Sequence, residues 1–505
     1  ANRSAGYTNV KDATFMAWRK AHWANWAFEV ASVKGSTVKF GRGGFQGARG
    51  GPGSDYFIQN VREELDDPTE FYFDVAAQRL YVMSNATSKD DPPPGDEWVA
   101  IPAANHTLID TRGTQANPVV NLTLRGLGLR DTAWTMLQPH GVPSGGDWAL
   151  ERMAALFLEG TESLVAEGLR FERVDGNALM LSKYHRNATV RDSEFAWLGG
   201  SAIALWGYTD ELSDDGAHGY DGTGGDFPLR TTIEGNLFRE IGIWEKQSSA
   251  VFQAKAARTT IRKNVAFNLA RAAINFNDGF GGGDLVSENV LFNTCRESSD
   301  HGPINSWDRQ PFLTTVRTGA PSTQMEWRTV TQNLVVANYG GSKEVDNDDG
   351  SLFYHNTRNV MFFGWGQKFK CGAIESVSNL KLWIDVGAKQ GSFGAGCLLE
   401  HAAYHPNRWH NDTIVYLAHG ADDFDYRSCW GAPYDRTRVT DNTLYVADAT
   451  TEVVIAGGDC PGPKQSYTLD EFQALGMEPG SRRVTAIPPV ATLVGWAEGV
   501  LGSFA

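Results

Sequence analysis

Residues 293–312 read NTCRESSDHGPINSWDRQPF, a run that gathers Arg296, Glu297, Asp300, His301, Asp308 and Arg309 around Trp307. Three further polar clusters follow or precede it at similar spacing. INFND supplies Asn275, Asn277 and Asp278, EVDNDDGS supplies Asp346, Asp348 and Asp349, and GQKFK supplies Lys368 and Lys370. Paired carboxylates such as Asp300 with Asp348 or Asp349 are the minimal equipment for cleaving a glycosidic bond. One must donate a proton to the leaving oxygen, and the other must attack carbon or activate water. Crowded together they repel, so one is expected to titrate high enough to serve as the acid. Arg296 and Arg309 can offset the remaining charge, Lys368 adds a third cation, and Trp307 can stack on a sugar ring. Asn277, Asp278, Glu297 and His301 complete the candidate substrate contacts. Each has a plain structural competitor: a turn for Asp–Gly, a turn hydrogen bond for His301, a packed side chain for Trp307.

Such clusters form one site only if the chain stacks them. Short apolar alternations recur, as in EGLRFERVDGNALML, RKNVAFNLARAAINFND and SENVLFNTCRESSDHG. The equivalent positions are Leu169, Ser193, Asn236, Asn264, Asn289, Asn333 and Asn359, spaced 24, 43, 28, 25, 44 and 26 residues apart. A period in the twenties with short strands predicts the coils of a right-handed parallel β-helix. The LxxLxLxxN signature of a leucine-rich repeat is missing. A recurring Asn at one turn can form a side-chain ladder along the coils. Side chains on adjacent coils sit about 4.8 Å apart, so four coils can build one composite site. The two long steps carry insertions at residues 207–229 and 307–327, which are expected to flank a groove.

The expected fold class is therefore all-β: a pectin-lyase-like solenoid over residues 116–460. Residues 1–115 form a β-rich N-terminal region that caps or flanks it. The C-terminal tail, 461–505, carries a short helix opened by a Thr468–Glu471 capping box. With 55 Gly, 16 Trp and 15 Tyr, the composition fits a turn-rich β architecture. A net charge of −15 argues against nucleic acid or an anionic membrane as partner. No apolar run is long enough for a membrane span. No GxSxG elbow or GxxxxGK[ST] loop is present. Sequons at Asn85, Asn105, Asn121, Asn187 and Asn411, and a start at Ala1, point towards a secreted glycoprotein. No CxxC pair favours zinc; Cys371, Cys397, Cys429 and Cys460 are the disulfide candidates, leaving Cys295 free.

Three phrases make the chain resemble the β-helix carbohydrate-active proteins around glycoside hydrolase family 141, which includes α-L-fucosidase and xylanase activities. EFYFDVAAQRLYV (70–82) is similar to that family's GEWYxDxxxGxLYY hairpin. CRESSDHGPINSWDR (295–309) is similar to its xExxDxGAxYxGRDW segment, and DNDDGS (346–351) to its DxDDGS segment. The resemblance implies catalytic roles for Asp300 and for Asp348 or Asp349, with Glu297, His301 and Arg309 touching substrate. HGPINSW replaces the GAxYxG pattern, so the pocket beside Asp300 is expected to differ.

The expected function is that of a secreted glycoside hydrolase acting on an oligo- or polysaccharide, with no cofactor required. Two alternatives stay open at this level. One is a polysaccharide lyase on the same fold, with Lys343, Lys368, Lys370 or His301 abstracting a proton and Ca2+ or Arg neutralising a uronate. The other is a non-catalytic extracellular β-helix that binds glycan or serves as a spacer. The acidic loop at 207–229 can hold Ca2+, although it lacks EF-hand spacing; whether the chain holds any metal is otherwise open.

Overall fold

The computed structural model describes residues 6–44, 53–68, 70–84, 88, 101–141, 150–208, 222, 224–277, 282–307, 326–336, 343–384, 391–393, 406–416, 424–428, 437–456, 460 and 462–502. Each coil lays one short strand into each of three parallel sheets. One such turn runs Leu179–Arg186, then Thr189–Arg191, then Glu194–Leu198, before Ile203–Trp206 starts the next. Among the described residues the three sheets hold 15, 11 and 12 strands, and we number them sheets 1, 2 and 3 in that order. The chain is a right-handed parallel β-helix, as the period predicts, and right-handed crossovers are what twisted parallel strands demand.

Alternation builds the core. Leu156, Leu179, Ile203, Val251, Ile274, Ile304 and Val345 share one register across sheet 1, and all point inward. In sheet 3, Phe171, Phe195 and Phe238 stack on consecutive coils with ring centroids 4.8 and 5.0 Å apart.

The turn between sheets 2 and 3 explains the recurring Asn. The residue before it takes the left-handed conformation, as at Lys263 (φ 56°), Glu288 (φ 57°) and Arg358 (φ 53°), or is Gly235. The next residue then aims its side chain along the helix axis. Asn264 Oδ1 accepts from Asn236 N at 3.0 Å, Asn289 Oδ1 from Asn264 N at 3.0 Å, and Asn333 Oδ1 from Asn289 N at 3.1 Å. The ladder runs beyond Asn359 through Asn379, Asp412 and Asn442 to Ser481. It replaces backbone pairing at a corner where strands cannot continue.

Ahead of the solenoid, Thr14–Trp18, Asn25–Lys34, Thr37–Gly43 and Tyr56–Gln59 form a four-stranded antiparallel sheet. The hairpin Phe71–Asp74/Arg79–Val82 forms as its sequence predicts, but Tyr72 is its buried face. Phe71, Phe73 and Leu80 line an open cleft of about 1210 Å³ together with Val30 and Ile101. Sheet 1 begins at Ile109–Arg112, and the last strand of sheet 3 is Arg482–Val484, inside the C-terminal segment. The capping box on Leu469–Ala474 is present. A second helix, Val490–Leu501, places Leu493 and Ala497 against Val360, Leu380, Leu382 and Val415, covering the outside of sheet 3. No described helix is long and apolar enough to cross a membrane.

Cys295 is a free, fully buried thiol whose pKa burial pushes up to about 12, which makes it inert at neutral pH. Cys371 and Cys460 are each disulfide-bonded. Asn121, Asn187 and Asn411 sit exposed at turns with left-handed φ, and Asn105 is half-buried. Asn85, Cys397, Cys429, residues 209–221 and 223 of the first insertion, with most of the acidic Ca2+ candidate, and residues 308–325 of the second lie outside the described residues.

Candidate active site

The outward positions of sheet 1 carry apolar residues on the early coils and polar ones later. In one register row, Phe157, Met180, Ala204 and Phe252 give way to Asn275, Asn305, Asp346 and Lys368. Two residues further along the strands, Asn277 and Trp307 share the next row, and Asp348 follows directly after Asn347. The period of two fixes this: Ile304 and Ser306 go inward, so Asn305 and Trp307 must go outward.

Lys368 is the hub. Its Nζ lies 3.1 Å from Asp300 Oδ1, 3.1 Å from Asp346 Oδ1 and 3.6 Å from Asp348 Oδ1. Asp346 is fully buried, and its other oxygen accepts from Asn305 Nδ2 at 3.0 Å. Asp300 is the exposed member, its side chain 55% accessible, at a backbone φ of +64°. Burial pushes the Asp348 pKa up, the charges of Asp346, Asp349 and Asp300 push it further, and Lys368 offsets only part, leaving it at about 8. For Lys368, burial alone would lower the pKa, but the three carboxylates outweigh it and hold the ammonium well above its ordinary value. The cluster thus contains a carboxylic acid that keeps its proton at neutral pH and an amine that does not release one.

His301 sits behind this group, 3% exposed, with Nδ1 3.8 Å from Asp346 Oδ2. Arg271 Nη2 is 3.2 Å from the same Nδ1, and a guanidinium can only donate. Nδ1 is therefore the acceptor, and Nε2–H faces the Trp23 carbonyl at 3.4 Å. Trp23 belongs to the tip of the N-terminal hairpin. The same tip accepts from Ser299: the backbone N–H reaches His22 O at 3.1 Å, and the hydroxyl donates to Ala21 O. Gly302 allows the close approach from the other side. A Cβ there would lie 2.1 Å from the Lys343 carbonyl oxygen.

Beneath the site, the inward residues of the same strands form a polar network. Ser306 Oγ pairs with Ser351 Oγ at 2.7 Å, Asn347 donates to Ser306 at 3.0 Å, and Asn356 donates to Asn347 at 2.9 Å. One coil position away, buried Arg328 bridges Asp284 at 2.6 Å and Tyr354 at 2.6 Å. This network, in which Asn356 Oδ1 alone of the side-chain atoms makes no hydrogen bond, ties the strands bearing Asn305 and Asp346 to the neighbouring turn.

Several expected residues are placed elsewhere. Arg296 pairs with Glu240 at 3.2 Å, and Glu297 with Lys246 at 2.8 Å, so both are spent on inter-coil ion pairs. Lys343 donates to the Trp365 carbonyl at 2.9 Å. Asp349 acts on Asp348 through its charge. Asn277 is buried beside Asn275, whose Nδ2 donates to it at 3.0 Å, and lies on sheet 1, away from the ladder. Asp278, Asp308 and Arg309 lie outside the described residues. Reasoning from sequence placed Asp346 in the cluster but gave it no role, and it missed Arg271, Asn305 and Trp23. Asn305 lies inside the quoted segment, and its strand alternation is the signal that finds it. Trp23 has no such signal.

Among the described residues, Asn275 Oδ1, Asn277 Nδ2 and Asn305 Oδ1 on this face make no hydrogen bond, and Asp346 Oδ1 meets only the Lys368 ammonium. The three amide atoms offer two acceptors and a donor beside the carboxylates, which is the pattern that hydroxyl-rich molecules satisfy.

No protein-family model matches the chain, and no curated protein matches it. Among solved structures it is similar to one described as "Glycoside hydrolase", with a TM-score of 0.57 and 16% sequence identity over 81% of this chain and 69% of that one, a likeness of fold.

Proposed function

We propose that the protein is a carbohydrate-active enzyme that hydrolyses a glycosidic bond on the outer face of sheet 1, with Asp348 as general acid and Asp300 as its carboxylate partner. The observation that carries this reading is the single ammonium, Lys368, holding Asp300, Asp346 and Asp348 together while Asp348 keeps a proton up to about pH 8. Asp300 is the carboxylate open to substrate. Buried Asp346 positions Lys368, and buried Asn275, Asn277 and Asn305 form the polar floor beneath the carboxylates. The Lys368 distances of 3.6 and 3.1 Å cap the separation of the two Oδ1 atoms at their sum, a bound that admits the retaining spacing of about 5–5.5 Å and only the lower edge of the inverting one, and we adopt the retaining reading. Asp300 then acts as nucleophile.

Elimination fits these residues less well. A lyase base must accept a proton, yet Lys368 is held protonated among Asp346, Asp300 and Asp348, and His301 Nδ1 accepts from Arg271. The fold likeness to a solved glycoside hydrolase and the three phrases resembling family 141 support the same reading, as do the exposed sequons for a secreted glycoprotein. The test is reducing-end release and ultraviolet absorbance on plant, algal and host glycans, for wild type, Asp300→Asn and Asp348→Asn. Reducing ends without absorbance, lost in both variants, are expected. An absorbing unsaturated product makes the protein a lyase, and activity retained in both variants places the chemistry elsewhere.

A further inference from the structure

A second buried cluster lies on the early coils, outside the site above. His140 and Glu151 pair across a short hairpin, and Glu245 comes from the turn that leads into Val251–Ala254. Glu151 is fully buried, and the side chains of His140 and Glu245 are 2% and 11% exposed. His140 Nδ1 lies 2.5 Å from the Gln138 carbonyl, which can only accept, so Nδ1 carries the proton. Nε2 then faces two carboxylates, which outweigh burial and raise the His140 pKa well above its ordinary value, and a metal ion would take the place of the Nε2 proton. Glu245 Oε1 touches Nε2, and Glu151 Oε2 lies 3.3 Å from it without making a hydrogen bond. Thr135 Oγ1 donates to the other Glu151 oxygen at 2.7 Å, which fixes Oε2 in its inward aim.

We propose that His140, Glu151 and Glu245 form a binding site for one divalent transition-metal ion of the Zn2+ type. One imidazole nitrogen and two carboxylates are a donor set that suits such an ion. Their ligand atoms lie within 4.8 Å of one another, and the 3.3 Å Nε2–Oε2 separation equals the edge, about 3.3 Å, of a tetrahedron with bonds of about 2.0–2.1 Å, while Glu245 Oε1, in contact with Nε2, must draw back to admit the ion. A small cavity of about 20 Å³ adjoins His140 and Glu245 beneath Asn25, Trp26 and Gly44, room for one water as the fourth ligand. The Gln138 carbonyl and the Thr135 hydroxyl are the outer partners that such ligands need for orientation. The ion would tie the 140–151 hairpin to a solenoid turn under the N-terminal sheet, so its role is structural.

Full-length protein stripped with EDTA is titrated with ZnCl2 by calorimetry, and Co2+ binding is followed by visible absorption. One ion per chain, a four-coordinate Co2+ spectrum and a higher melting temperature on loading are expected. Glu245→Gln and His140→Asn should each weaken binding at least 100-fold, while Thr135→Val, which removes only an outer partner, should weaken it about 10–100-fold. Circular dichroism confirms that each variant is folded. Asp348→Asn should leave stoichiometry and affinity unchanged. Absence of one-to-one binding by wild type overturns the proposal, and so does wild-type affinity in folded Glu245→Gln and His140→Asn.

Discussion

Asp348→Asn separates two consequences of one buried carboxyl. Unfolded, this aspartate titrates near 3.8; folded, it titrates near 8, because burial and the neighbouring carboxylates disfavour its charge. Between those values the folded protein holds a proton that the unfolded chain has released. Stability contributed by Asp348 is therefore full at acid pH and falls as pH rises towards 8. Each unit within the window is worth about 1.4 kcal/mol, and the curve flattens as 8 is reached. From pH 6 to pH 8 the loss comes to about 2 kcal/mol, or about 2 °C in melting temperature for a chain of this length. Asparagine keeps the shape and cannot ionise, so the variant lacks that component. Titrating groups away from Asp300, Asp346, Asp349 and Lys368 are common to both proteins and cancel. Calorimetric melts of both proteins at pH 6, 7 and 8 should show wild type falling faster by that margin. Activity should move the opposite way, with kcat/KM on unactivated glycosides down about 10²–10⁴-fold in the variant. Parallel melting curves would refute the protonated-acid assignment whatever the activity shows.

Lys368→Met removes the hub and leaves Asp346 buried without its counter-charge; a loss of about 3–5 kcal/mol in denaturant titrations is expected, together with activity. Gly302→Ala puts a methyl against the Lys343 carbonyl, and a cost of about 1–3 kcal/mol with a displaced Asp300–His301 turn should appear as lower kcat at nearly unchanged KM. Asn289→Ala breaks bonds to Asn264, Asn333 and the Ile261 carbonyl, and should cost about 2 kcal/mol without changing the pH profile. For the natural hydrolysis product, NMR of the first-formed anomer should show retention.

The solenoid was readable because its signal is local and repeated. A left-handed residue followed by Asn recurs on most coils, so phrases such as KNV, ENV and RNV mark the corners. Asp300, Asp348 and Lys368 were readable for the same reason, since one coil step stacks what the sequence spaces apart. The ranking among the acids was not. Asp346 and Asp349 look alike in EVDNDDGS, and only strand alternation and the cover above them make one a buried anchor and the other a turn residue. His140 and Glu245 are 105 residues apart and belong to no repeat, so nothing in their surroundings marks them as partners. Arg296 and Glu297 pair with Glu240 and Lys246 of other coils, since charges beside a site also serve to lock coils together.

The docking of the N-terminal hairpin tip on Ser299 and His301 joins residues 278 apart in sequence. During synthesis at about 5–20 residues per second, the tip emerges tens of seconds before the turn it grips. Until then its carbonyls at Ala21, His22 and Trp23 have no partner on the solenoid, and His301, once made, has no clamp. The histidine behind the carboxylates is thus set only when the early segment folds back on a finished stack of coils. A ribosome-stalled chain ending before Ser299 should therefore leave the Arg19–Ala24 loop open to protease, and one ending well beyond Lys368 should protect it. On the proposed hydrolase reading, activity would report on completed assembly: a chain that halts midway has a stack of coils but an unfinished site.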